Sequence, residues 1–197
     1  MLQDSNTKQA FWLAIGNMAS FGFTIISSMI LSRFFDKGDY GTYKQVIYIY
    51  NTLLMVFTLG LPKAFSYFLP RVPLAQSRSL INKITKLFFC LGALFSFLLF
   101  AFAEVTANIL NNPNLTEAIR IFAIVPALMM PTMGLEGILA TFRKTKFMAF
   151  YTVATRIIML CCVALPVMLL DLGYKEAIVG FVIGSAITCI IALRLKY

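Results

Sequence analysis

Long apolar segments separated by short polar stretches run through the whole chain. Six of them approach the roughly 20 residues that an α-helix needs to cross a bilayer. They cover 10–31, 42–69, 84–103, 118–141, 147–170 and 177–193. The pattern predicts an all-α fold, a polytopic transmembrane bundle of about six spans in which residues 1–197 form a single lobe.

The second and the fourth segments each combine Gly and Pro in their interiors. The second is interrupted at 60–62, Gly-Leu-Pro, and the fourth contains Pro126, Pro131 and Gly134. In lipid such breaks are tolerated where protein or a water-filled cavity satisfies the freed backbone groups. We therefore expect both spans to be bent beside a cavity or a packed interface.

The sixth segment contains Gly180 and Gly184 in a GxxxG pattern. This spacing lets two helix backbones approach closely. In a chain with several spans it favours packing between helices of the same chain over dimerisation.

Composition supports a membrane location and excludes several other classes. Hydrophobic residues make up 60% of the chain, against roughly 45–50% in soluble domains. The net charge of +9 comes from Lys and Arg scattered between the apolar segments, which predicts no nucleic-acid partner. The chain has four Cys in apolar surroundings and no His, so we expect no metal site and no cofactor.

The basic residues alternate from one connection to the next. They concentrate at 71–86, 143–146 and 194–196, whereas 32–41, 104–117 and 171–176 carry few net positive charges. Because basic loops stay in the cytoplasm, this pattern predicts a multi-pass protein with both termini cytoplasmic.

Three ionisable residues lie deep inside predicted spans: Lys63, Glu136 and Arg156. Lys44 and Arg120 lie closer to the interfaces. A charge at membrane depth costs at least about 2.5–3.5 kcal/mol and normally faces a partner or an aqueous cavity. If all three face one cavity, its net positive charge suits a phosphate or pyrophosphate, with Lys63 and Arg156 as contacts. Alternatively Glu136 neutralises Arg156 in a structural pair, and Lys63 extends to the interface.

Polar residues also follow one face of the first span. Asn17, Ser20, Thr24 and Ser27 recur at three- and four-residue spacing, which places them on the same side of a helix. The face is either a packing seam or a cavity wall. We assign Asn17, together with Asn51 of the second span, to the lining of the cavity.

The stretch from Leu31 to Arg71 resembles the polysaccharide biosynthesis proteins. These are the bacterial oligosaccharide-lipid flippases of the multidrug/oligosaccharidyl-lipid/polysaccharide exporter superfamily. The resemblance is carried by LSRFF at 31–35, DYGTY at 39–43 and GLPKAFSYFLPR at 60–71. It extends over nearly the whole chain in the order of spans.

The resemblance implies a fold of two similar helical lobes around a central cationic cavity. By alternating access such flippases move an undecaprenyl-pyrophosphate-linked oligosaccharide, a repeat unit of O-antigen, capsule or exopolysaccharide, across the bacterial inner membrane from the cytoplasmic leaflet. The family has about twice as many spans as this chain, which therefore resembles the amino-terminal lobe alone. A second lobe or a second chain would complete the pathway, and no catalytic residues are expected.

Two other functions are compatible with the same apolar pattern. A cation-coupled drug exporter would share the lobe but commonly needs several acidic residues in the membrane, whereas the clear candidate here is Glu136. An integral-membrane lipid or sugar transferase would need paired carboxylates, His or a metal cluster. The close acidic pair Asp36 and Asp39 is better explained as a solvated turn beside Arg33 and Lys37.

The predicted topology can be checked with an epitope tag placed after Tyr197. We expect antibody to reach the tag only after the inner membrane is permeabilised, because the basic connection before it should stay in the cytoplasm. A tag between Asn111 and Asn112 serves as the control that labels from outside. Labelling of the tag after Tyr197 in cells with an intact inner membrane would contradict the topology.

Overall fold

The computed structural model describes residues 6–58, 60–170 and 172–196, and all regular secondary structure in these ranges is helical. The α-helices are α1 (Asn6–Phe34), α2 (Lys37–Thr58), α3 (Pro62–Phe68), α4 (Leu74–Ala101), α5 (Ala103–Ile109), α6 (Asn114–Phe122), α7 (Val125–Met129), α8 (Leu135–Thr141), α9 (Thr145–Leu170) and α10 (Tyr174–Lys196). Short 3-10 helices cover Leu69–Arg71 and Met130–Thr132. Residues 1–5, Leu59 of the predicted span 42–69, Asp171 of the predicted loop 171–176, and Tyr197 lie outside the described residues.

Within the described part of the chain, six helical stretches are long and apolar enough to cross a membrane. They are Ala10–Phe34, Lys37–Arg71, Ala75–Ala101, Asn114–Thr141, Thr145–Leu170 and Tyr174–Lys196. The predicted all-α fold with six spans is confirmed, and the chain is a multi-pass membrane protein.

The bounds of several predicted loops are wrong, because the helices extend beyond the apolar segments. α1 ends at Phe34 and α2 begins at Lys37, so a connection predicted over 32–41 has two residues. In the predicted basic loop 71–86, α4 already begins at Leu74, and in 104–117 most of the sequence belongs to α5 and α6. Charged side chains at helix ends reach the interface while the backbone stays helical, so charge alone does not mark where a helix stops.

The two predicted breaks are present. α2 ends at Thr58, Gly60 has a φ of +75°, and α3 begins at Pro62. The fourth span is divided into α6, α7, a 3-10 turn and α8, with Gly134 at a φ of +80° before α8. The second span is therefore one long helix followed by the short α3, and the fourth span is a series of short helices joined by turns.

The fourth span is the centre of the bundle. It packs against α4, α10 and α2, and it is the most buried of the six. Aromatic rings fill the space around it: Phe95 stacks on Phe57 at 4.4 Å between ring centroids, and Tyr50 meets Phe122 at 5.2 Å. α9 closes one side, between α1 and α10.

The GxxxG residues of α10 pack against α9 of the same chain, as predicted. A Cβ on Gly180 would lie 2.1 Å from the carbonyl oxygen of Cys162, and one on Gly184 would lie 2.8 Å from the sulfur of Met159. The first neighbour is backbone and cannot move aside, whereas the second is a flexible side chain. Gly180 therefore sets how closely α9 and α10 approach.

Replacing Gly180 with Ala is expected to destabilise the protein by about 1–3 kcal/mol, since the added methyl forces the two backbones apart. The measurement is thermal unfolding of the purified protein in detergent. Gly184→Ala should cost less, and Gly22→Ala should cost nothing, because no atom lies within 4 Å of a Cβ there. Equal melting temperatures for Gly180→Ala and Gly22→Ala would contradict this packing.

Candidate functional site

A cavity of about 590 Å³ lies between the second, fourth, fifth and sixth spans. α3, α8 with the preceding 3-10 turn, α9 and α10 all contribute to its wall. Its polar lining residues are Lys63, Ser66, Thr132, Glu136, Tyr151, Thr152, Thr155, Arg156 and Thr188. Met129, Met133, Met148 and Met159 supply much of the apolar wall, and such side chains adapt easily to ligands of different shape.

The cavity lies at one end of the bundle. Its lining comes from the last parts of the second, fourth and sixth spans and from the first part of the fifth. These parts meet at the end where the basic connections at Arg71 and at 143–146 lie. The cavity therefore lies at the end of the molecule that the charge pattern predicts to be cytoplasmic.

The structure brings three of the predicted site residues together. Lys63 at the start of α3, Glu136 in the first turn of α8 and Arg156 in the middle of α9 line the same cavity. All three side chains are accessible from it. Two cations and one carboxylate leave this wall with a net charge of +1.

The alternative pairing of Glu136 with Arg156 is not seen. Among the described residues, the recorded ion pairs are Arg120 with Glu104 at 3.6 Å and Lys175 with Glu117 at 2.5 Å. Both belong to the opposite end of the bundle. The charged groups of the cavity are thus not neutralised by ion pairs within the described chain.

Asn17 and Asn51 are not among the residues that line the cavity. Both are exposed on the outer surfaces of α1 and α2. The residue of the polar face on α1 that reaches the site is Ser20, whose Oγ accepts a hydrogen bond of 2.6 Å from Nε of Arg156. The polar stripe was visible in the sequence, but nothing in it distinguished Ser20 from Asn17 without knowledge of the neighbouring helix.

Hydroxyl groups of the lining were missed by sequence reasoning. Thr132 and Thr155 donate to the carbonyls of Met129 and Thr152, at 2.7 and 2.9 Å. Thr188 differs, because its hydroxyl is buried and has no hydrogen-bond partner in the described chain. Since an unpaired buried hydroxyl is costly, Thr188 is the hydroxyl of this wall that still needs a hydrogen-bond partner.

The wall between Lys63 and Glu136 depends on one glycine. Gly134 adopts a φ of +80°, and a Cβ there would lie 2.1 Å from the ring of Phe65, which is fully buried. The turn at Gly134 starts α8 directly against α3, so it fixes the distance between the helices that carry the two charged residues.

The described residues include no group of three or more Cys, Asp or Glu side chains positioned to hold a metal ion. What the geometry offers is a concave, net-positive wall with hydroxyl groups, inside a chain that spans a membrane. That combination can bind an anion carrying polar substituents.

Comparison with known proteins extends these observations. Residues 7–197 match a family model described as "Polysaccharide biosynthesis protein". The match covers all six spans, well beyond the stretch 31–71 that carries the sequence resemblance. No curated protein and no solved structure matches the chain.

Replacing Gly134 with Ala is expected to lower stability through two effects. The left-handed backbone costs about 1–2 kcal/mol for a residue with a Cβ, and the clash with Phe65 adds about 1–3 kcal/mol. Gly60→Ala is the matched control, because Gly60 has a similar φ of +75° but no atom within 4 Å of a Cβ. Thermal unfolding should show a larger loss for Gly134→Ala; equal losses would mean that Phe65 does not press on this turn.

Proposed function

Because the chain belongs to the polysaccharide biosynthesis protein family, we propose that it forms part of a flippase for lipid-linked oligosaccharides. The cargo is an undecaprenyl-pyrophosphate-linked repeat unit of O-antigen, capsule or exopolysaccharide. It moves by alternating access from the cytoplasmic to the periplasmic leaflet of the bacterial inner membrane. Both termini of the chain lie in the cytoplasm.

The observation that carries this proposal is the convergence of Lys63 and Arg156 on one cavity in a membrane-spanning chain. Charges are kept at membrane depth only where they have a function or a partner, and the described chain gives these two no ion pair. A guanidinium and an ammonium together match the charge and the acceptor oxygens of a pyrophosphate.

The position of the cavity agrees with the direction of transport. Lipid-linked repeat units start in the cytoplasmic leaflet, and the cavity lies at the end of the bundle with the basic connections. Positive charges around its mouth attract an anionic headgroup to the entrance. The hydroxyl groups of Thr132, Thr155 and Thr188 then suit the polar groups next to the pyrophosphate.

The size of the cavity limits what it encloses. A volume of about 590 Å³ is that of an ordinary small-molecule site. It holds the pyrophosphate with part of the adjacent sugar, so most of an oligosaccharide must lie outside it. We place the rest of the glycan against the exposed faces of α1 and α2.

Those two helices are the least covered part of the bundle. In the 18-residue apolar windows of the first and second spans, only 11% and 12% of the residues are buried. Asn17 and Asn51 lie on these exposed faces. We propose that a second lobe or a second chain faces α1 and α2, and that Asn17 and Asn51 line the wider pathway between the two.

Arg156→Ala and Lys63→Ala should each weaken binding of undecaprenyl pyrophosphate to the purified protein in nanodiscs. A charge-assisted hydrogen bond contributes about 1.5–3 kcal/mol, so the dissociation constant should rise at least about tenfold. Arg120→Ala is the matched control, because Arg120 is a cation of the same chain at the opposite end. In cells, Arg156→Ala should abolish glycan export while the amount of protein in the membrane stays unchanged.

Wild-type affinity and wild-type export in Arg156→Ala would overturn the proposal. Glu136→Gln separates it from the drug-exporter alternative. Removing the one carboxylate among the described lining residues should leave pyrophosphate binding unchanged or tighter, whereas a cation-coupled exporter would lose transport.

A further inference from the structure

Lys196 is a buried lysine that the proposed transport does not use. It belongs to the last turn of α10, and only 7% of it is exposed. Its Nζ donates hydrogen bonds to the carbonyl oxygens of Pro131, at 2.5 Å, and Met133, at 3.0 Å. The ammonium also lies 5.3 Å from the centroid of the Phe65 ring.

This arrangement differs from an ordinary buried charge. The ion pairs recorded in the described chain do not include Lys196. Two carbonyl dipoles and an aromatic face take the place of a carboxylate, and both attract a cation. Burying an ammonium has a large free-energy cost, and the hydrogen bonds to these two carbonyls offset it. We infer that the carbonyls in turn require a hydrogen-bond donor at this position.

These carbonyls require a donor because the fourth span is broken next to them. Pro131 lies within the 3-10 turn Met130–Thr132, and Met133 lies between that turn and the start of α8 at Leu135. The left-handed Gly134 interrupts the helix there, so carbonyls of this turn lose the regular acceptor role that a continuous helix would give them. In a bilayer a donor from another span must replace it.

The same turn forms a wall of the cavity. Met133, Gly134 and Glu136 line it from the fourth span, and Lys63 lines it from α3. Phe65, under the ammonium, belongs to α3 as well. Lys196 thus links the sixth span to α3, which carries Lys63, and to the turn that precedes α8 and Glu136.

We propose that Lys196 is a positioning residue that clamps the break of the fourth span and thereby sets the geometry of the anion cavity. It acts through the backbone of 131–134 and does not touch the ligand. Its effect on pyrophosphate binding rests on the proposed function, whereas its effect on the backbone does not.

The test compares Lys196→Ala, Lys196→Met and Lys196→Arg with the wild-type protein in nanodiscs. Hydrogen–deuterium exchange of a peptide covering 130–137 reports on the clamp, and the dissociation constant of undecaprenyl pyrophosphate reports on the cavity. Arg194→Ala is the matched control, because Arg194 is an exposed cation in the same helical turn. Ethylammonium is added to each protein, with tetramethylammonium as a cation of equal charge that has no N–H donor.

In Lys196→Ala and Lys196→Met we expect faster exchange over 130–137 and at least about tenfold weaker pyrophosphate binding, the effect of losing a charge-assisted hydrogen bond. Ethylammonium should restore slow exchange in Lys196→Ala, where the side chain leaves space, but not in Lys196→Met. Tetramethylammonium should not restore slow exchange in either variant. Lys196→Arg, which keeps the charge and the donors, should exchange like the wild type, as should Arg194→Ala.

Wild-type exchange over 130–137 in Lys196→Met would overturn the clamp, because an apolar side chain of similar length would then suffice. Faster exchange with unchanged pyrophosphate affinity would overturn the positioning role while leaving the proposed function intact. Absence of pyrophosphate binding in the wild-type protein would contradict the proposed function, and the exchange data would still decide the clamp. If Lys196→Ala does not fold, recovery of the folded protein by ethylammonium during purification supports the clamp, and failure of Lys196→Arg to fold would overturn it.

Discussion

Inside a bilayer every backbone N–H and C=O needs a partner within the protein, and the site of this chain exists because two spans are interrupted and backbone groups at the interruptions find partners elsewhere in the chain. At the first break the amide of Leu61 donates to the carbonyl of Thr58 at 2.7 Å. In the fourth span the amide of Ala127 donates to the hydroxyl of Ser96 at 3.0 Å. The breaks lie side by side, with α3 against α8, and the space between the shortened helices becomes the cavity.

The two ends of the bundle use polar residues in opposite ways. At the end away from the cavity the side-chain amide of Asn112 donates to Thr42 and Gln45 of α2, at 3.0 and 2.7 Å. Lys175 and Glu117 join the sixth span to the fourth there. These contacts tie spans together. At the cavity end the charges of the lining have no ion pair within the described chain, so they remain available to a ligand.

The sequence was sufficient to predict the features that carry a large free-energy cost in lipid. Six apolar segments, two breaks and three charges at membrane depth could be predicted, because each is too expensive in lipid to be accidental. Features that depend on which way a helix faces could not be predicted from the sequence. Ser20 and Asn17 share one stripe, yet Ser20 bonds Arg156 while Asn17 is exposed. Thr188 lies among apolar residues, and its role in the lining follows only from how α10 packs against its neighbours.

The packing of α1 against α9 links the first helix to the position of Arg156. α1 makes its largest contact with α9 and touches α2 only slightly. Gly16 lies close to the backbone of Ala149, and Ser20 holds Arg156. α1 and α9 therefore form one packed pair, whereas Lys63 belongs to α3, which packs against α8. We therefore expect a tilt of α1 in the membrane to move Arg156 relative to Lys63, which would couple the proposed anion binding to the orientation of the first helix.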